Sequence, residues 1–327
     1  MNFYALVGDI GGTNARFALI EKGSVQLQHV VVLSCSDFKN FDDAFAYYYQ
    51  SINVKPLDIA CISFACPIGE EIAMTNNHWA FNVKSMQKKL KLVQFNLLND
   101  FTAMAYGTLF LDGQDKTAIQ IGNNNHLQGP RLVIGPGTGL GVSGLVPVQS
   151  YSQTNSVNIE WQAIATEGGH VSFAALNKLQ TEVLCILQRQ YSRVSVERIL
   201  SGNGILALYL ALCEIHEQPC QYSTAAQITH AAGAHLCGLA VLAINTFCEI
   251  LGAVTGDMIL AQGARGGVYL CGGILPRIKE VLLSSEFTIA MCNKGRFEQY
   301  LADVPVWLCN AKYPGLLGAA GALQMRK

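Results

Sequence analysis

Charge is scarce in this sequence. Only 14% of its 327 residues are Asp, Glu, Lys or Arg, and the formal net charge is −1. No global field favours nucleic acid, and no stretch has the basic character of a DNA-reading helix. No apolar run reaches membrane-spanning length. The longest, 231–260, is interrupted by His235, Asn245, Glu249 and several Gly residues, and reads as a helix buried on most sides. No basic leader pattern precedes the first apolar run, so neither a secretory signal nor a transit peptide is expected. The eleven Cys residues form no C-x-x-C pair and no Cys–His zinc spacing. Most of them, such as Cys61, Cys66, Cys185, Cys237, Cys248 and Cys271, lie in apolar runs. Reduced thiols in the core of a cytoplasmic protein are the expectation.

What is abundant is apolar residue: half the chain, enough for two domains of ordinary size with well-buried cores. The most informative stretch lies near the start, Gly8-Asp9-Ile10-Gly11-Gly12-Thr13-Asn14-Ala15-Arg16. Apolar runs flank it at 3–7 and 17–20, which predicts a hairpin around a Gly-rich turn. The glycine pair permits positive φ and close approach of a ligand. The turn's N–H groups, with the Thr13 hydroxyl, suit a phosphate chain. Asp9 ends the first strand, where it can hold Mg2+ directly or through water. The turn is no P-loop, since it has no Lys and does not open a helix.

Further along, the pattern predicts a strand over 25–33, a turn at 34–37 and a helix over 38–49 capped by Ser36 or Asp37. A strand buried on both faces follows at 59–65. A polar loop carries Asn77 and Trp79, and then come a helix over 83–90 and a strand over 95–98. Asp100, at that strand's end, is either the N-cap of the next helix or a positioned base. A polar, Asn-rich shift over 107–129 marks a domain boundary at about 111. A second strand, Gly-rich turn and strand unit surrounds Gly137-Thr138-Gly139. Helices are expected over 182–191, 195–200, 204–215 and 224–230, buried strands at 268–271 and 306–309, and a closing helix from Gly315. No short-period repeat is present. The alternation of strands and helices reads as an α/β layered fold.

Eight segments in order resemble bacterial glucokinases of the hexokinase and actin-like ATPase superfamily. They are G-D-I-G-G-T-N-A-R from Gly8, A-M-T-N-N-H-W-A-F from Ala73, N-D-F-T-A from Asn99, G-T-G-L-G from Gly137, E-G-G-H from Glu167, E-R-I-L-S-G from Glu197, C-G-G-I-L-P-R from Cys271 and P-G-L-L-G from Pro314. The resemblance spans nearly the whole chain. It implies two ribonuclease-H-like α/β domains around a central cleft. The small one would comprise 1–111 with 313–327, and the large one 112–312. It also implies transfer of the γ-phosphoryl of ATP to the 6-hydroxyl of glucose, with domain closure excluding water.

By the same resemblance Asp100 is the catalytic base, and Asn99, Glu167, His170 and Glu197 bind glucose. Gly8, Asp9, Ile10, Gly11, Gly12 and Thr13 would hold the ATP phosphates with Mg2+, Gly137, Thr138 and Gly139 the distal phosphates, and Gly272 and Gly273 the adenine side. Asp9 would be the metal residue, directly or through water, while Arg16 could pair with a carboxylate in a structural role, and Asn77 and Trp79 lie on a loop that could cover the sugar, with Trp79 read as core packing. Glucose and ATP are the expected partners, with a homodimer by analogy and neither membrane nor nucleic acid. Asn203, Ser172 and Pro136 depart from the family's usual Pro, Asp and small residue, which bears on sugar preference and turn stiffness. A kinase for another hexose or amino sugar, and a non-catalytic sugar or ATP sensor, are the alternatives. Asp100 argues against the sensor, which needs no base.

Overall fold

A computed structural model describes residues 3–123, 125–151 and 157–325. Asn124, in the Asn-rich stretch noted above, lies outside them. The chain divides into two compact units. The first comprises Met1–Asp115, Leu145–Ala165 and Ala311–Lys327, and the second Lys116–Gly144 and Thr166–Asn310. The sequence reading places 145–165 with the large domain, whereas here it groups with the first unit.

The first unit opens with the expected hairpin, β1 (Phe3–Ile10) and β2 (Asn14–Glu21), extended by β3 (Gln28–Ser34). Then come α1 (Phe41–Ile52), β4 (Ile59–Phe64), a small ribbon of β5 (Glu71–Ala73) and β6 (Ala80–Asn82), α2 (Val83–Lys89), β7 (Gln94–Asn99) and α3 (Asp100–Gly107). The main sheet has the order β3-β2-β1-β4-β7, with β4 parallel to β1 and β7 parallel to β4. β1 and β4 are almost wholly buried, which explains their uninterrupted apolar sequence.

Helix α1 starts three residues later than its sequence predicts. Cys35–Asp37 form a 3-10 turn, and neither Ser36 nor Asp37 caps the helix. Its inner face is the expected one: Phe41, Ala44, Phe45 and Tyr48 are buried. Phe41 centres an aromatic cluster, with ring centroids 5.4 Å from Phe64, 5.3 Å from Phe81 and 5.9 Å from Trp79. Trp79 is a core residue with 1% exposure, and its indole N–H donates to the Phe38 carbonyl.

In the second unit β8 (Lys116–Gln120), β9 (Arg131–Pro136) and the start of β10 (Leu140–Tyr151) come first, and the rest of β10 with β11 (Val157–Ala165) belongs to the first unit. Helices α4 (Lys178–Gln188), α5 (Gly202–Ile215), α6 (Ala225–Gly233) and α7 (Gly238–Gln262) follow, and then β12 (Gly267–Leu270). Three short helices, α8 (Lys279–Ser284), α9 (Phe287–Cys292) and α10 (Glu298–Ala302), precede β13 (Val306–Cys309). The sheet order is β11-β10-β9-β12-β13-β8, with β9, β12 and β13 parallel. Helix α7 is long and apolar enough to cross a membrane by composition, but it is the core helix of this unit, covered by α5, α6 and α9. Helix α4 begins four residues before the predicted start because Asn177 caps it. Of the helix predicted over 195–200, only the 3-10 turn Val196–Arg198 forms.

The last helix, α11 (Pro314–Met325), belongs to the first unit and packs on α3. Replacing Phe41 by Ala should cost about 3–5 kcal/mol through the cavity it leaves. A urea titration should show the unfolding midpoint lowered at unchanged slope.

Candidate active site

Parallel strands end together, and what they carry at their carboxyl ends defines the site in the first unit. Asp9 on β1 is in register with Ser63 on β4, and Phe64 with Asn99 at the end of β7. Such strand ends are where ligands of open α/β sheets bind. Asp9 is largely buried. Its Oδ1 accepts the Ser63 hydroxyl at 3.0 Å, and its Oδ2 accepts Arg16 Nη1 at 3.3 Å. Burial pushes its carboxyl above the usual range, opposed by the Arg16 charge and the Ser63 hydrogen bond. Gly315, at the start of α11, lies so close that a Cβ there would stand 2.6 Å from Asp9 Cγ. Arg16 is thus a partner of the acid, in keeping with the structural role its sequence context predicts.

Asn99 and Asp100 divide the two roles that the sequence left open for Asp100. Asn99 is the N-cap of α3: its Oδ1 accepts the N–H groups of Phe101 at 3.0 Å and Thr102 at 3.3 Å, and its Nδ2 donates to the Cys66 carbonyl. Asp100 is the first helical residue. Its Oδ1 accepts the Phe101 N–H at 2.9 Å, and its own backbone N–H and the Asn99 side chain also favour its anion. Burial, then the neighbouring Asp9 charge, raise its pKa to about 6. Half-charged at about pH 6 and fixed at a helix start, Asp100 has the properties of a general base.

The first glycine turn is built differently from expectation. Neither Gly11 nor Gly12 takes a positive φ. The turn is instead shaped by its neighbours: Gly11 N–H donates to Asn14, the Gly11 carbonyl accepts Asn77 Nδ2 at 3.2 Å, and Cys35 N–H donates to the Thr13 carbonyl. Asn77, expected on a loop covering the sugar, braces this turn. The N–H groups of Gly12 and of exposed Thr13 meet no acceptor among the described residues and are available to a phosphate. Gly8 and Ile10 are strand residues packed in the sheet.

The second turn repeats the device in the second unit. Gly137 N–H bonds to the Gly139 carbonyl, and the Gly137 carbonyl accepts the Gly202 N–H from the first turn of α5, which Ser201 caps. Thr138 is exposed, and its N–H and that of Gly139 meet no described acceptor. Beside this turn β12 runs parallel to β9 and delivers Gly272 and Gly273. Gly272 has φ +87° and packs against the Pro136 carbonyl, so its glycine is demanded by the backbone. Gly273 is exposed, with open space beside it.

Glu167 and His170 flank a 3-10 turn, Gly168–His170, packed on β10 through Val142 and Leu140, and both are exposed. Arg193 Nη1 holds the His170 carbonyl at 2.7 Å. Glu197 is half-buried, and its Oε2 accepts the Leu140 N–H at 2.8 Å. Asn99, Asp100 and the first turn therefore belong to the first unit, and the second turn, Glu167, His170, Glu197 and Gly272–Gly273 to the second.

Asp9 suits a magnesium ion carried by a nucleotide. Both its oxygens already accept one protein donor, leaving lone pairs for coordinated water, and a triphosphate-bound Mg2+ asks for only one or two carboxylates. No group of three His, Cys, Asp or Glu side chains that could form an all-protein cage occurs among the described residues.

Known proteins bear on this arrangement. A family profile described as Glucokinase matches residues 6–326. A curated Glucokinase of Hahella chejuensis (strain KCTC 2396) is 47% identical over 323 residues, 98% of this chain and 97% of that protein. The crystal structure of a glucokinase from an Antarctic psychrotroph superposes with a TM-score of 0.85 at 34% identity, covering 98% of both chains. A glucokinase from Balamuthia mandrillaris in complex with glucose superposes with a TM-score of 0.77 at 18% identity, covering 98% and 93%, and shows likeness of fold.

The raised pKa of Asp100 has a consequence for stability. Its folded value of about 6 lies above the usual 3.8, so the protonated acid favours the fold below pH 4 and that advantage is lost as pH rises through 6. Asp100→Asn should therefore raise the thermal midpoint by a few degrees at pH 7.5, about 3 kcal/mol for two pKa units, with no difference at pH 4. Calorimetry of both proteins across that range measures it.

Proposed function

The chain belongs to the glucokinase family, and we propose that its Asp100 is the base that takes the proton of the glucose 6-hydroxyl as that oxygen accepts the γ-phosphoryl of ATP. As a member it is an ATP-dependent sugar kinase with the two-domain actin-like ATPase fold. The observation that carries the assignment is the pair of facts about the end of β7: Asn99 takes the capping work, and Asp100, buried beside Asp9, has a pKa of about 6. A cap needs no raised pKa, whereas a base working near neutrality does.

Phosphoryl transfer asks for positioning and charge stabilisation more than for covalent help. The paired N–H groups of Gly12–Thr13 and of Thr138–Gly139 are suited to phosphate oxygens, and the open side of Gly273 to the base of the nucleotide. Asp9 would hold Mg2+ through water. When bound, that ion supplies neutralisation of the developing phosphate charge. Exposed Glu167 and His170, with Glu197, offer acceptors and mixed donors for sugar hydroxyls, and Asn99, which caps α3, adds a side-chain amide. The assignment of these residues to glucose rests on the motif match, supported by their exposure or free lone pairs. Helix α7, apolar enough to cross a membrane by composition, is buried in the core.

Four assays test the reading. With glucose, mannose, fructose and N-acetylglucosamine run side by side, glucose should give the highest kcat/KM, and preference for another sugar would move the substrate while leaving the base in place. Asp100→Ala should lower kcat by about 10²–10⁴-fold with glucose affinity largely kept. In the wild type kcat/KM should fall as pH drops below about 6, where Asp100 takes up its proton. Glu167→Gln should raise KM for glucose, and an unchanged KM would remove it from the sugar site.

A further inference from the structure

One hydrogen bond joins the two halves of the chemistry assigned to the second unit. Glu197 Oε2 accepts the Leu140 N–H at 2.8 Å, and Leu140 is the residue that closes the Gly137–Gly139 turn and begins β10. A Cβ on Gly139 would stand 2.4 Å from that same oxygen, so the carboxylate lies directly against the turn. The opposite side of Leu140 is also occupied, since Gly169, in the turn after Glu167, packs on its carbonyl. The turn's other anchor is the Gly202 N–H, donated to the Gly137 carbonyl from five residues beyond Glu197. Glu197 Oε1 accepts from no described residue.

We infer that Glu197 is a positioning residue for the nucleotide as well as a sugar ligand: Oε2 fixes the phosphate-binding turn through Leu140, and Oε1 faces the sugar. One side chain thereby sets the phosphate turn and the acceptor sugar in common register. The inference rests on the reading of Glu197 as a glucose ligand and adds the second half. It also explains why position 139 carries glycine although its φ is not positive: a side chain would displace the carboxylate. The Glu197–Leu140 bond is charge-assisted, so its loss is the kind that changes an affinity measurably.

The test compares three variants with the wild type, reading KM for glucose, KM for ATP, and binding of a non-hydrolysable ATP analogue without sugar. In Glu197→Gln the amide oxygen can still accept the Leu140 N–H. Glucose KM should rise while ATP KM and analogue affinity stay within about twofold. In Glu197→Ala both KM values should rise, and analogue affinity should fall about tenfold even without glucose. Gly139→Ala, which pushes the carboxylate off Leu140 and leaves Glu197 in place, should reproduce the loss of analogue affinity, and it decides the matter should Glu197→Ala fail to fold. Unchanged analogue affinity in Glu197→Ala or Gly139→Ala overturns the inference. Equal loss of analogue affinity in Glu197→Gln overturns it too, because a general structural role makes no distinction between amide and methyl. A glucose KM unchanged in Glu197→Gln and Glu197→Ala would instead overturn the sugar reading on which the inference stands.

Discussion

Two carboxylates brought together at the ends of parallel strands repel each other, and burial costs each of them water. Asp9 meets that cost with Arg16 across the hairpin and Ser63 on the neighbouring strand. Asp100 is given hydrogen bonds from the backbone and from Asn99 but no cation, and burial with the Asp9 charge outweighs them, raising its pKa to about 6. The difference between the two acids follows from where their partners sit. Arg16 faces Asp9 in the β1–β2 register, and α3 begins at Asp100 with its first donors shared with Asn99. Burial leaves both carboxyls above the usual range, but only Asp9 has a cation and a hydroxyl drawing it back toward the anion that suits a metal, whereas Asp100 is suited to accepting a proton. The sheet therefore assigns the two tasks through register alone.

The two glycine turns solve one problem with different parts. Each must present a pair of unpaired N–H groups without collapsing onto itself. The first is braced by Asn77 and by the backbone of Cys35, and the second by Glu197 and the start of α5. In both, the brace comes from a segment distant in sequence, and the glycines serve packing and access more than unusual dihedral angles. Gly272 is the contrast, where the backbone itself requires φ +87°.

The first hairpin, the buried β4 and the inner face of α1 were legible because periodicity and Gly-rich turns are local signals. Trp79 as core and Arg16 as the partner of an acid were equally plain. Other features depend on tertiary partners. The later start of α1 follows from the 3-10 turn at Cys35–Asp37, whose backbone is tied to Thr13. Strand β8 hid in a polar stretch because it lies at a sheet edge beside β13, where alternation is weak. Strand β11 is also an edge strand, and over 157–163 Val, Ile, Trp and Ala alternate with Asn, Glu and Gln, a signal that could have found it. The brace at Asn77 and the Glu197–Leu140 bond leave no trace in spacing, since a hydrogen bond across 57 positions has no sequence period. The choice between cap and base at Asp100 was open in the sequence because Asn and Asp both cap helices. Only the geometry shows Asn99 doing so.

The central claim is that Asp100 keeps its proton well into the range where an unperturbed aspartate has lost its own. Its carboxyl can be followed by carbon NMR in protein labelled at the aspartate side-chain carbon, with Asp100→Asn to assign the signal. One resonance titrating near pH 6, absent from the variant, is the predicted result. A spectrum in which every aspartate titrates below pH 5, or in which the signal near pH 6 survives in Asp100→Asn, would contradict it.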